Sequence, residues 1–103
     1  MAATNDNLDV VGGVETHKDV HAAAALSATG RLLGTALFPT TGAGYSQLSA
    51  WLTSHGRLIR IGVEGTGSYG SGLMRHLRSA GISVVEVIVR IVNYAVNVAR
   101  LTP

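Results

Sequence analysis

Two carboxylates, Glu15 and Glu64, each close a short apolar run, LDVVGGV and LIRIGV. A side chain at such a strand end can leave the sheet into a cleft. Two carboxylates a few ångströms apart repel each other unless a cation sits between them. Mg²⁺ takes such oxygen ligands, and paired ions can hold both the attacking and the leaving oxygen of a phosphodiester. The bland alternative is a pair of solvated strand-end acids, since charged residues usually stay at the surface.

Three further groups carry chemistry. Glu15-Thr16-His17-Lys18-Asp19-Val20-His21 is a dense polar stretch. His17 and His21 would share one face of a helix as a metal pair. The stretch reads instead as strand end, turn and strand start, which parts them. Lys18 can meet a phosphate or simply be solvated. Gly65-Thr66-Gly67-Ser68-Tyr69-Gly70 is a literal G-x-G-x-x-G between a strand and a helix, with Glu86 at the next strand. That is the dinucleotide-binding fingerprint with its ribose-binding acid. A milder reading is that the loop hugs a nucleic-acid backbone, since amides at a helix N-terminus suit any phosphate. Arg75, His76 and Arg78 lie on the following helix and fit either a nucleic-acid face or a solvated one.

These residues need a scaffold. The chain has 103 residues, enough for one domain, with 47% hydrophobic and 14% charged residues, so it is not a self-repelling disordered polymer. A net charge of +2 excludes a histone-like charge sponge but not a local basic patch. Without cysteine there is no disulfide framework, thiol catalysis or cysteine-ligated zinc. The start, MAATNDNLDV, has no signal-peptide pattern, and no apolar run nears the ~20 residues that span a bilayer. A cytoplasmic chain with no membrane partner is expected.

Residues 1–8 are polar and read as frayed; 9–87 read as the folded unit. Strands are expected over Leu8–Val14, Val20–Ser27, Arg31–Phe38, Leu58–Glu64 and Ile82–Val87. Thr40 or Thr41 caps a helix marked by Tyr45, Leu48, Trp51 and Leu52. Leu73, Leu77 and Ala80 mark a second helix, closed by Gly81. The order β-β-β-α-β-α-β predicts one α/β mixed sheet. It is the order of the ribonuclease-H-like fold, in which the ends of the first and fourth strands lie side by side. Those ends carry Glu15 and Glu64.

The strings VVGGVETHKDVHAAAA, GRLLGTALFPTTGAGY, IGVEGTGSYGSGLMRHLRSAG and VVEV together resemble the N-terminal catalytic domain of the DEDD transposases of insertion sequences, the bridge-RNA-guided group. The likeness covers about Val10 to Val87. It implies a Holliday-junction-resolvase-like ribonuclease-H fold and Mg²⁺-dependent cleavage and joining of DNA. It implies a site of four carboxylates in the order Asp, Glu, Asp, Asp, and partners of DNA and a structured guide RNA in a bacterial cytoplasm. Carried over, Glu15 takes the first acid position, where the family has Asp, and Glu64 the second. Lys18 and the loop Gly65, Thr66, Gly67, Ser68 and Tyr69 become the candidate nucleic-acid contacts. The extra methylene of Glu15 moves its carboxylate out, and ~1 Å errors can cost ~10²-fold in rate.

The family's third and fourth acids follow the VEV strand. This chain has no Asp or Glu after Glu86. Residues 88–103, IVRIVNYAVNVARLTP, read as unlike the family. Shifted by one base with GC-rich codons, the same stretch reads as an arginine-rich segment ending in Gly-Lys-Ala-Asp, where the resemblance implies an arginine-rich segment and then Gly-Lys-x-Asp. The expectation is a frameshifted, C-terminally incomplete and inactive remnant of a transposase. The rivals are a dinucleotide-binding fragment using Gly65, Gly67, Gly70 and Glu86, and a small regulator that binds a full-length transposase or its own copies.

Overall fold

The computed structural model describes residues 8–65, 67 and 69–87. Expectations for residues 1–7 and 88–103 lie outside that range. Along the chain run β1 (Asp9–Glu15), β2 (Val20–Ser27), β3 (Leu32–Pro39), α1 (Gly42–Thr53), β4 (Arg57–Glu64), α2 (Ser71–Ser79) and β5 (Val84–Glu86). The five strands form one mixed sheet in the order β3-β2-β1-β4-β5. β1, β2 and β3 pair antiparallel as two hairpins, and β4 pairs parallel with both β1 and β5. The parallel pairs need long crossovers, which α1 and α2 supply.

The Ala-rich stretch over β2 has helical propensity, yet it is a strand. Its neighbours decide this, since β2 lies between β1 and β3 and pairs with both along its length. The β2–β3 turn closes on Gly30, whose φ of 94° is left-handed. Leu8, read as part of the frayed start, is tied to β4: its carbonyl accepts from the Arg57 N–H at 2.8 Å.

Both helices pack on one side of the sheet. Val10 and Val14 of β1, Ile61 and Val63 of β4, Leu48 and Leu52 of α1, and Leu73 and Leu77 of α2 are fully buried in that core. Fully burying a side chain of this kind is worth roughly 1.5–3 kcal/mol. Ala80, expected on the apolar stripe of α2, is an exposed C-cap; Met74 takes the inward place. The other side of the sheet carries a second, smaller cluster, Ala22 and Ala24 with Leu26, Leu32 and Val87.

Alternation along β2 turns His21 toward the helices, where it is fully buried and stacks on Tyr45 of α1 at 5.8 Å. Burial holds its pKa below the ordinary histidine value, and the charge of His17 adds to that. The folded state therefore disfavours a proton that the unfolded chain accepts near pH 6.5. Stability is then full above that pH and falls as the pH drops toward the lowered folded value. Thermal unfolding between pH 8 and 5 should show this loss, and His21→Asn should flatten it. Equal slopes in both proteins would refute the assignment.

Candidate functional site

The site is built where β1 and β4 end together. In the parallel register Val14 pairs with Val63 and Glu15 with Glu64. Val14 and Val63 point into the helix-side core, so alternation sends Glu15 and Glu64 to the other side, next to each other. One irregularity makes this possible. Val10 pairs with Leu58 and Val11 with Arg60, so β4 carries an extra residue, Ile59, at a bulge. Without that bulge Glu64 would fall one residue out of step with Glu15, on the opposite face.

The carboxylates differ in surroundings. Glu64 Oε1 is buried and meets no hydrogen-bond donor. Leaving a buried acceptor unsatisfied costs on the order of 1–3 kcal/mol, more for a charged group. The Glu15 side chain is about one-fifth exposed and its Oε1 lies 3.8 Å from Nε2 of His17. Among the described residues no group of three or more potential metal ligands forms. Two of the four carboxylates implied by the resemblance are thus brought together, and Glu86 lies on β5, exposed.

A small network fixes the backbone beneath the acids. The Thr16 N–H donates to the Glu64 carbonyl at 3.3 Å, and its hydroxyl lies 2.9 Å from that carbonyl and 2.8 Å from that of Gly65. Gly65 has φ of 79°, and a Cβ there would lie 2.6 Å from the Thr16 hydroxyl. Both facts require glycine at this point. That requirement accounts for the first glycine of the G-x-G-x-x-G stretch without a nucleotide.

The remaining candidates separate. Lys18 is exposed on the β1–β2 turn, and Tyr69 and Gly67 are exposed on the β4–α2 loop. Thr66 and Ser68 lie outside the described residues. Arg75 and Arg78 are exposed on α2. His76, grouped with them in the sequence, turns toward α1, with its Nε2 3.3 Å from the Ser46 hydroxyl and its ring edge-on to Tyr45. His17 and His21 do not form a metal pair: Nδ1 of His21 accepts from the His17 N–H at 3.2 Å. Sequence reasoning missed Thr16, His21 and Thr40 as the residues that hold this corner. The visible signal was a hydroxyl directly after the strand-end acid.

No helix among the described residues is long and apolar enough to cross a membrane. A search of curated proteins returns no match. Among solved structures, the chain is similar to Pelota of Archaeoglobus fulgidus, at 14% identity and a TM-score of 0.51. The likeness covers 97% of this chain and 37% of that one, and it concerns the fold alone. The profile of a family described as transposase, of the DEDD insertion-sequence type, matches residues 12–101. It takes in both Glu15 and Glu64 and runs on through most of 88–103, the stretch read above as unlike the family. With nearly the whole sequence matched by one profile, the chain belongs to the DEDD transposase family of insertion sequences.

Proposed function

We propose that the Glu15–Glu64 corner is the first half of a divalent-metal site for phosphodiester chemistry on DNA, on a ribonuclease-H-like sheet. The observation that carries this reading is the buried, unpartnered Oε1 of Glu64 beside a second carboxylate in register. A hard cation suits two carboxylates held side by side, and Mg²⁺ completes its shell with water and substrate oxygens when a site supplies only one or two carboxylates. When bound, the ion would polarise a phosphodiester oxygen and activate its attacker. The transposase family ties the chain to DNA and generally to divalent metals. The strand order and the mixed pairing support the ribonuclease-H-like assignment.

The chain's own residues have distinct tasks in this reading. Glu15 and Glu64 hold the ion. Thr16 and Gly65 keep the two strand ends at one level. Lys18 and the exposed loop through Gly67 and Tyr69 face the DNA backbone. Glu15 and Glu64 are two of the four acids that the resemblance implies, so residues 1–103 taken by themselves bind DNA without cutting it. A structured guide RNA belongs to the same proposal through the family.

A gel-shift and cleavage assay on branched DNA with and without Mg²⁺ tests this. The expected result is Mg²⁺-strengthened binding and intact DNA. Cleavage that persists in purified chain and vanishes in Glu64→Gln would overturn the inactivity, and binding indifferent to Mg²⁺ would overturn the metal reading.

A further inference from the structure

We infer that His21 and Thr40, neither of which faces the acids, are positioning residues that clamp the β1–β2 turn and so set the separation of Glu15 and Glu64. The inference rests on the metal reading above and extends it to the far side of the sheet.

The turn of residues 16–19 is short, polar and exposed over His17, Lys18 and Asp19. Such a turn would ordinarily be loose. Here it is tied at three points. Thr16 is bonded to the end of β4, as described. The His17 N–H donates to Nδ1 of His21, and the Thr40 hydroxyl donates to the His17 carbonyl at 3.1 Å. The Thr40 N–H donates to the Asp19 carbonyl at 3.1 Å. Both polar groups of the His17 backbone are therefore held by residues outside the turn.

The clamp is rigid because His21 is. Its ring is fully buried, stacked on Tyr45 with 9° between the planes, and Thr40 Oγ1 lies 3.4 Å from its Nδ1. Accepting from an amide leaves Nδ1 without a proton and puts the ring proton on Nε2. Nε2 is buried and has no hydrogen-bond partner. A leucine or phenylalanine would fill this space without that penalty, so burial alone does not account for histidine. The acceptor at Nδ1 does. Tyr45 in turn meets His76 edge-on, which links the clamp to α2. His21 and Thr40 act on Glu15 only through the His17 backbone. Partners bonded directly to a metal ligand typically change metal affinity by about 10–100-fold when lost, so the lower end applies to these two.

The test uses the full chain, Mn²⁺ as the probe, and amide exchange of Thr16 and His17 as a second readout. Asn at position 21 can place its carbonyl oxygen near Nδ1; Leu cannot. His21→Asn should bind Mn²⁺ within about threefold of wild type and keep both amides protected. His21→Leu and Thr40→Val should lose at least tenfold in affinity, the lower end expected for such partners, and exchange faster at residues 16 and 17. Should His21→Leu fail to fold, Thr40→Val and His21→Asn decide the matter. Folded His21→Leu and Thr40→Val proteins with wild-type affinity and protection would overturn the clamp. If wild type binds no Mn²⁺, the metal reading falls, and the exchange data alone still uphold or refute the clamp.

Discussion

Glu64→Gln is expected to weaken Mn²⁺ binding by at least about a hundredfold while leaving the domain folded. Outer partners of a metal site alone are worth about 10–100-fold, and Glu64 is a direct ligand in this reading. Gln has the same shape, so the core behind Val63 is not disturbed. Without metal the variant should melt at or above the wild-type temperature. The substitution removes one of two adjacent negative charges, and it replaces a carboxylate whose Oε1 is buried without a donor. The opposite pairing of results is just as informative. A variant that binds Mn²⁺ like wild type, or that melts well below it, would mean that Glu64 is a structural residue. Titration by isothermal calorimetry or electron paramagnetic resonance, with a thermal melt on the same samples, reads both quantities.

Gly44→Ala is expected to destabilise the chain by about 2 kcal/mol, within the 1–3 typical of overpacking. In a domain of this size that lowers Tm by roughly 8–16 °C. Propensity alone gives the other sign, because Ala in a helix is favoured over Gly by about 0.5–1 kcal/mol. Geometry decides against propensity here. Gly44 is buried in the first turn of α1, and a Cβ on it would run into the backbone carbonyl of Pro39. That carbonyl cannot rotate aside freely, since it accepts from the Thr41 N–H at 2.9 Å. Thr41 is itself the N-cap, with its hydroxyl accepting from the Gly44 N–H at 3.0 Å. The control is Gly42→Ala two residues earlier, where an added Cβ meets nothing within 4 Å. It should be neutral or slightly stabilising. If both variants melt alike, the close approach of α1 to Pro39 is not what fixes the helix start.

Much of this protein was legible in the residues. β-branched runs broken by glycine marked the strands, and the second hairpin strand, Val20–Ser27, was placed to the residue despite its alanines. Thr41 was a candidate cap and is one. The family could be read from THKD and GVEGTGSYG, because chemistry-bearing residues at a fixed separation are rarer than periodicity. Local patterns also put Glu15 and Glu64 at strand ends, where the fold has them. What they could not supply was anything that depends on pairing between distant segments.

The bulge at Ile59 is the plainest case. LIRIGVE reads as an even strand, yet one residue of slip in it decides whether Glu64 meets Glu15 or faces away. Whether β4 slips depends on its partner β1, 48 positions earlier at the Thr16–Glu64 bond, and on the core that Ile61 and Val63 must reach. His21 is the second case. In the sequence it pairs with His17 as a possible ligand. In the fold the alternation of β2 buries it under Tyr45 and turns its ring nitrogen to the His17 backbone. The sequence by itself determined the elements, their order and the acids at their ends, because those follow from apolar patterning, turn residues and residue chemistry. Only the tertiary structure decided which acids share a face and which polar side chains hold them there, because register and burial are properties of segments packed against one another.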